Sequence, residues 1–251
     1  MVINYVKHFR EDNDKAKKRA DRIRKLGWSL WVLILLVMIF TIINFFVGLS
    51  VSTPSAGETQ AAGGQSRVSY QGIWRVDTEN KTGSCFLARC SGDTGVFITA
   101  KHVIENATQI SIKDQEGDAY SASVVCKSDS EDVAVISAEG TFDQSSVLKL
   151  GESSSLKIQD NIVVVGWPQG IFSVTEGTVS NIITDNDPPY VMTDAVINPG
   201  NSGGPAIRKD DGTVVGMVVS TLNGAQGMHF LIPIDFVKSK IHQASPDLSL
   251  N

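Results

Sequence analysis

The chain has 251 residues, 42% of them hydrophobic and 20% charged, which allows one sizeable globular domain plus shorter flanking segments. Its formal charge of −5 is unevenly spread: residues 1–27 carry nine Lys/Arg against four Asp/Glu, and everything after residue 49 carries thirteen against twenty-three. The larger part is therefore acidic and lacks the basic surface a nucleic-acid binder needs, which excludes that class.

In chain order, residues 1–27 form a charged segment. Glu11–Lys15, Asp14–Lys18 and Asp21–Lys25 each place an acid four residues before a base, the favourable orientation on a helix. Val2, Tyr5, Val6 and Phe9 give it an apolar stripe, readable as a docking face or as part of a solvated cytoplasmic extension. Residues 28–49 come next without a single charge; as a helix their 22 residues would span ~33 Å, enough for a bilayer core. Trp28 and Trp31 lie near one end as interfacial aromatics, and the Lys/Arg cluster precedes them. This predicts a single transmembrane helix with residues 1–27 in the cytoplasm and the rest outside it. A cleaved signal peptide, with Ser55-Ala56-Gly57 as a weak cleavage site, is the competing reading, but its apolar region should be shorter. Asn44 faces either a neighbouring membrane helix or the outer interface. Residues 50–67, rich in Ser, Thr, Gly, Ala and Gln, read as a flexible tether holding the rest of the chain on the order of 20–25 Å from the membrane.

Residues 68–245 show short apolar runs separated by turns. Strands are predicted at Ser84–Arg89, Val96–Thr99, Gln109–Ile112, Ala119–Cys126 and Asp132–Ser137. A second set is predicted at Asn161–Gly166, Phe172–Ser180, Tyr190–Thr193, Pro205–Arg208, Val214–Ser220 and Met228–Ile232. Ile234–His242, after Pro233, reads as a closing helix, and residues 246–251 as a tail. About six strands on each side of residue ~150 fit an all-β domain of two antiparallel six-stranded barrels. Three cysteines, Cys85, Cys90 and Cys126, cannot all pair with one another. A Cys85–Cys90 or Cys85–Cys126 bridge is open outside the cytoplasm, and buried free thiols are the alternative.

The chemistry concentrates in Asn198-Pro199-Gly200-Asn201-Ser202-Gly203-Gly204-Pro205, a serine among glycines and prolines. Such a bare, tightly bent backbone suits a nucleophile that another backbone must approach closely, although the same residues also make ordinary surface turns. Two upstream contexts favour the first reading. His102, in Thr99-Ala100-Lys101-His102-Val103-Ile104, comes after the apolar run Val96–Ile98. Asp132, in Glu131-Asp132-Val133-Ala134-Val135-Ile136, stands where a loop enters another apolar strand. An imidazole activates a hydroxyl by taking its proton, and a carboxylate fixes the imidazole's tautomer, so a His–Asp–Ser order is one of the known arrangements.

At these residues the sequence resembles the trypsin-fold serine peptidases of the HtrA/Deg branch. The matching pieces are Thr99–Ile104, Asp132–Ile136, Gly166-Trp167-Pro168, Thr175–Asn181, Thr193–Pro205 and Phe230–Pro233, over roughly residues 68–242. The resemblance implies a membrane-anchored serine endopeptidase acting on extended or unfolded proteins and peptides, in quality control or regulated proteolysis, with homo-trimeric assembly. It implies Ser202 as nucleophile, His102 as general base and then acid, and Asp132 as its orienting partner. The N–H groups of Gly200 and Ser202, assisted by Asn201, would form the oxyanion hole, with no metal or organic cofactor required. Asp194 reads as an orienting acid outside the triad, and His229 as a residue that fills or tunes the pocket before the scissile bond. That pocket's walls would come from Ile197, from Ser220, Thr221 and Leu222, and from Met228–Phe230. None of these is acidic, so medium apolar side chains are expected there rather than Lys or Arg. Two alternatives use the same cleft: a catalytically silent module binding extended peptides, and a scaffold whose oxyanion loop waits for a partner. Two departures from the family pattern stand out. Cys85 occupies a position usually held by a small glycine, and the chain stops at Asn251 where relatives continue into a PDZ domain, so such a domain is expected to be lacking.

Overall fold

Among the described residues, twelve short strands wind into two closed antiparallel barrels. A computed structural model of the chain describes residues 70–221 and 228–250. The first barrel comprises β1 (Ile73–Thr78), β2 (Thr82–Ser91), β3 (Thr94–Thr99), β4 (Ile110–Lys113), β5 (Ala119–Lys127) and β6 (Ala134–Glu139), in the closed order β1-β2-β3-β6-β5-β4. The second comprises β7 (Asn161–Gly166), β8 (Ser173–Ile183), β9 (Tyr190–Thr193), β10 (Pro205–Arg208), β11 (Val214–Thr221) and β12 (His229–Pro233), ordered β10-β11-β12-β9-β8-β7. Pairing of β1 with β4 and of β10 with β7 closes each barrel, and closure removes the sheet edges that invite aggregation.

The continuous apolar runs of the sequence reflect strands covered on both faces. In β2, Cys85 and Leu87 point into the first barrel beside Trp74, Phe97, Ile112 and Ile136. Phe86 and Ala88 point the other way, into a core shared by both barrels. That seam joins Ile73, Ile98, Val133 and Val135 to Val163, Val165, Ile207, Met217 and Ile232 of the second barrel. The second barrel fills its own interior with Ile162, Val164, Val179, Val191, Val218 and Leu231. One turn of helix, α1 (Lys101–Ile104), comes after β3, and α2 (Ile234–Ala244) closes the domain. Ile234, Val237 and Ile241, at helical spacing, press α2 onto the seam, while Asp235 in its first turn accepts hydrogen bonds from Ser153 and Ser154.

The predicted strands appear with ends shifted by a few residues, and one strand is additional. β1 escapes a reading by periodicity because Arg75 and Asp77 interrupt its apolar pattern. These two residues share one face and satisfy each other, with Arg75 Nε donating to Asp77 Oδ2 at 2.7 Å. The three cysteines are all free thiols; Cys85 is fully buried, and burial pushes its thiol well up. The predicted membrane span 28–49, the segments 1–27 and 50–67, and Leu222 lie outside the described residues. Among the described residues, no helix is long and apolar enough to cross a membrane.

Candidate active site

His102 is placed by the abrupt end of β3. Thr99 and Ala100 are fully buried, the chain turns once through α1, and Val103 and Ile104 sink into the first barrel's core. His102, on the opposite side of the turn, keeps its ring 39% exposed. Asp132 sits on a loop whose ends are tied by Ser128 N–H to the Val133 carbonyl at 3.0 Å, with Val133 buried as its anchor. Asp132 Oδ2 lies 2.6 Å from His102 Nδ1, and its Oδ1 accepts the His102 backbone N–H at 2.7 Å. A carboxylate can only accept, so this pair puts the ring proton on Nδ1 and leaves the Nε2 lone pair free.

Two lysines brace the pair. Lys101 Nζ donates to the carbonyls of Ser128 and Asp129 at 2.8 and 3.2 Å, fastening the Asp132 loop to α1. Lys81 Nζ donates to the His102 carbonyl at 2.6 Å. Neither residue was singled out from the sequence, although Lys101 lies inside the Thr99–Ile104 stretch.

Ser202 approaches from the second barrel. Gly83 lies between the two halves: a Cβ there would stand 2.7 Å from both methyls of Val103 and 3.1 Å from the Ser202 carbonyl. The His102 turn and the Ser202 loop therefore meet at a point where only hydrogen fits. Among the described residues the Ser202 hydroxyl donates to the Val219 carbonyl at 3.2 Å and makes no hydrogen bond to His102. A bulge in β11 between Val218 and Ser220 takes Val219 out of the regular ladder, freeing that carbonyl.

The peptide groups of the Ser202 loop are nearly all engaged. The carbonyls of Pro199, Asn201 and Ser202 accept from the N–H groups of Gln169, Gly204 and Ser84 at 3.0, 2.9 and 2.9 Å, and that of Gly200 accepts from Ser84 Oγ at 2.8 Å. The N–H groups of Asn201, Gly203 and Gly204 donate to Asn198, Val218 and Asn201. Between Pro199 and Pro205, among the described residues, the N–H groups of Gly200 and Ser202 are the ones left without an acceptor. Backbone N–H groups are normally paired, so these two are available to an external acceptor. Gly200 has φ +107, and a Cβ there would stand 2.4 Å from the Trp167 carbonyl, so only glycine fits. Asn201, expected to assist as a donor, is turned away. Its N–H is used, its side chain is buried, and its Oδ1 has no partner among the described residues.

The expected pocket residues separate. Ile197 is 5% exposed and packs in the second barrel's core, while its neighbour Val196 is 53% exposed. Ser220 and Thr221 pair with Phe230 and His229 where β11 meets β12, and Met228 is exposed just before β12. His229 has a buried Nδ1 with no partner among the described residues, and burial pulls its pKa down, which keeps the ring neutral. Asp194 accepts the Thr178 N–H at 2.5 Å, locking the end of β9 to β8 and supporting the segment that leads to Ser202. A cavity of about 680 Å³ opens beside Asp132, lined by Tyr190, Phe230, Val219 and Ile232.

Residues 83–217 match the family model described as the trypsin-like peptidase domain. A probable periplasmic serine endoprotease, DegP-like, of Hahella chejuensis is 34% identical over 170 residues, covering 64% of this chain and 35% of that protein. The serine protease HTR4 of Bos taurus is 36% identical over 155 residues, covering 58% and 31%. Among solved structures, the serine endoprotease from Yersinia pestis superposes with a TM-score of 0.62 at 26% identity, covering 72% of this chain and 65% of that one. The HtrA-type protease AlgW, bound to a tripeptide, gives 0.59 at 26% identity, covering 68% and 59%. The chain spans about a third of the length of these curated relatives.

Proposed function

The chain belongs to the trypsin-like peptidase family, on its HtrA/DegP side, and from that premise we propose that it is a serine endopeptidase working through Ser202, His102 and Asp132. The observation that carries this reading is the pair of N–H groups, those of Gly200 and Ser202, left free on either side of the engaged Asn201 N–H. They are what a carbonyl oxygen needs as it turns into an oxyanion.

In the proposed reaction, the Ser202 hydroxyl rotates from the Val219 carbonyl to His102 Nε2, which takes its proton as Oγ attacks the scissile carbonyl. The developing negative oxygen is held by the two free N–H groups, and Asp132 stabilises the imidazolium. His102 then gives its proton to the departing amine, and water repeats the sequence to release the acyl group. The substrate would add to β11 beyond Val218, where pairing with β10 has ended at Met217. Extended or unfolded chains would pair there more readily than compact ones. Met228, exposed and apolar, and the absence of any acid among Ser220, Thr221, Leu222 and Met228 support selection of medium apolar side chains.

The apolar stretch 28–49 behind a basic segment supports anchoring in a membrane, with the barrels on the non-cytoplasmic side, the periplasm in a bacterial cell. A homo-trimer is the proposed assembly. The bond from Ser202 to Val219 favours a second reading of the resting state, in which the hydroxyl engages His102 only once a substrate or partner occupies the cleft.

The test is labelling of the full chain by a serine-directed phosphonate, together with cleavage of a reduced, unfolded protein, for wild type and Ser202→Ala. Labelling and cleavage that vanish in Ser202→Ala are expected; equal cleavage by both, in a contaminant-free preparation, overturns the reading.

A further inference from the structure

We propose that Ser84 is a positioning residue that holds the two peptide groups following the oxyanion donors and so keeps the donors aligned, an inference that rests on the serine-endopeptidase reading above. Ser84 belongs to the first barrel, on β2, and is fully buried at 0% exposure. A buried serine needs partners, and this one has them on three separate pieces of the fold. Its Oγ donates to the Gly200 carbonyl at 2.8 Å and accepts the Trp167 N–H at 2.9 Å. Its N–H donates to the Ser202 carbonyl at 2.9 Å, and its own carbonyl accepts from Thr99 Oγ1 at 2.8 Å.

The consequence is geometric. A peptide group is planar and trans, so fixing a carbonyl also fixes the N–H on its other side. Ser84 Oγ holds the Gly200 carbonyl and so fixes the Gly200–Asn201 peptide that follows the first donor, while the Gln169 N–H holds the Pro199 carbonyl, in the peptide that carries the Gly200 N–H, at 3.0 Å. Together they fix the peptide planes on both sides of Gly200 and keep its free N–H in one direction. Glycine alone has little barrier to rotating those planes, so the orientation is imposed from outside. Ser84 also grips the Ser202 carbonyl, and with it the far end of the same loop. One residue of the first barrel thus sets both ends of a loop carried by the second. The Trp167 N–H fixes the direction of the hydroxyl: with its lone pair taken there, the proton is directed to Gly200.

Ser84 touches no reacting atom, so removing its hydroxyl should act on the transition state and leave substrate binding alone. The experiment compares the full-length wild type with Ser84→Ala and Ser84→Cys. It reads kcat and KM on an apolar-P1 peptide, affinity for a peptide boronate whose tetrahedral adduct places an oxygen between the donors, affinity for the product peptide, and thermal unfolding. Losing one oxyanion donor outright costs ~10²–10³ in kcat, so a donor that is only disoriented should cost roughly 10–100-fold. For Ser84→Ala we expect that loss in kcat with KM within about threefold, boronate affinity weaker by a similar factor, and product affinity unchanged. Ser84→Cys keeps the size but donates weakly, so it should move the same way and carries the test if the alanine variant does not fold. A folded variant with a lowered unfolding temperature but wild-type kcat and boronate affinity overturns the proposal, because Ser84 then only packs. A wild type that neither cleaves the peptide nor binds the boronate overturns the underlying endopeptidase reading instead.

Discussion

Asp132→Asn changes one oxygen to an amide nitrogen in a pair whose two contacts cannot both survive. In the wild type, Oδ1 accepts the His102 backbone N–H at 2.7 Å and Oδ2 accepts from Nδ1 at 2.6 Å. Asparagine has one acceptor oxygen and one donor NH2. If the oxygen stays on the backbone N–H, the NH2 faces Nδ1, the ring proton moves to Nε2, and Nε2 can no longer accept from Ser202. If the amide flips, the NH2 meets the backbone N–H, and two donors oppose each other at hydrogen-bond distance. The first arrangement is the less costly, so the fold should survive while the base is lost. In enzymes of this mechanism the wrong tautomer lowers kcat by ~10⁴, which corresponds to roughly 5 kcal/mol of transition-state stabilisation. Loss of one charge-assisted hydrogen bond at a site about a third exposed should cost stability only about 1–2 kcal/mol. The assay is steady-state cleavage of a short peptide with urea unfolding in parallel: kcat should fall by about 10³–10⁵ with KM nearly unchanged. A kcat within tenfold of wild type, or a loss confined to KM, would refute the tautomer argument.

The same geometry sets the outcome of three other substitutions. Gly200→Ala forces a Cβ to within 2.4 Å of the Trp167 carbonyl at φ +107, so it should cost roughly 1–3 kcal/mol and abolish phosphonate labelling, while unchanged labelling would show that the loop yields. Asp211 is held down to about 2 by the hydrogen bond from Arg208 and then by those from Thr213. Its stabilisation is therefore complete above the unfolded carboxylate value and lost as pH falls through about 2. Discounted for a side chain 42% exposed, it amounts to about 1 kcal/mol, so Asp211→Asn should lower urea stability by that amount at pH 7, with the difference vanishing near pH 2. Trp74 meets Phe97, Tyr120 and Phe142 at ring-centroid distances of 5.6, 5.6 and 5.5 Å, so Trp74→Ala should cost about 3–5 kcal/mol by urea titration; a loss under 1 kcal/mol would mean the barrel refills the gap.

What the amino-acid order determined by itself is whatever depends on neighbours along the chain. Short apolar runs punctuated by Gly, Pro and Asn specified most of the strands, because side-chain alternation and turn chemistry act over a few residues. The same locality made the candidate residues readable: His102 just past an apolar strand, Asp132 just before one, Ser202 in a loop stripped of side chains. Tertiary structure decided everything that depends on partners far away in sequence. β1 became a strand because Thr82–Ser91 and Ile110–Lys113 flank it, despite Arg75 and Asp77 breaking its pattern. Ile197 went into the core and Val196 to the surface, a choice of face that two adjacent apolar letters do not contain. Cys85, Cys90 and Cys126 remained free thiols because the barrels set where they stand. The peptide that follows Gly200 is held from furthest away in sequence, by a serine 116 residues before it. A peptide plane carries no side-chain signature of its own orientation. In a glycine-rich loop that orientation costs little to change, so it is set by whichever buried donors and acceptors the fold brings against it.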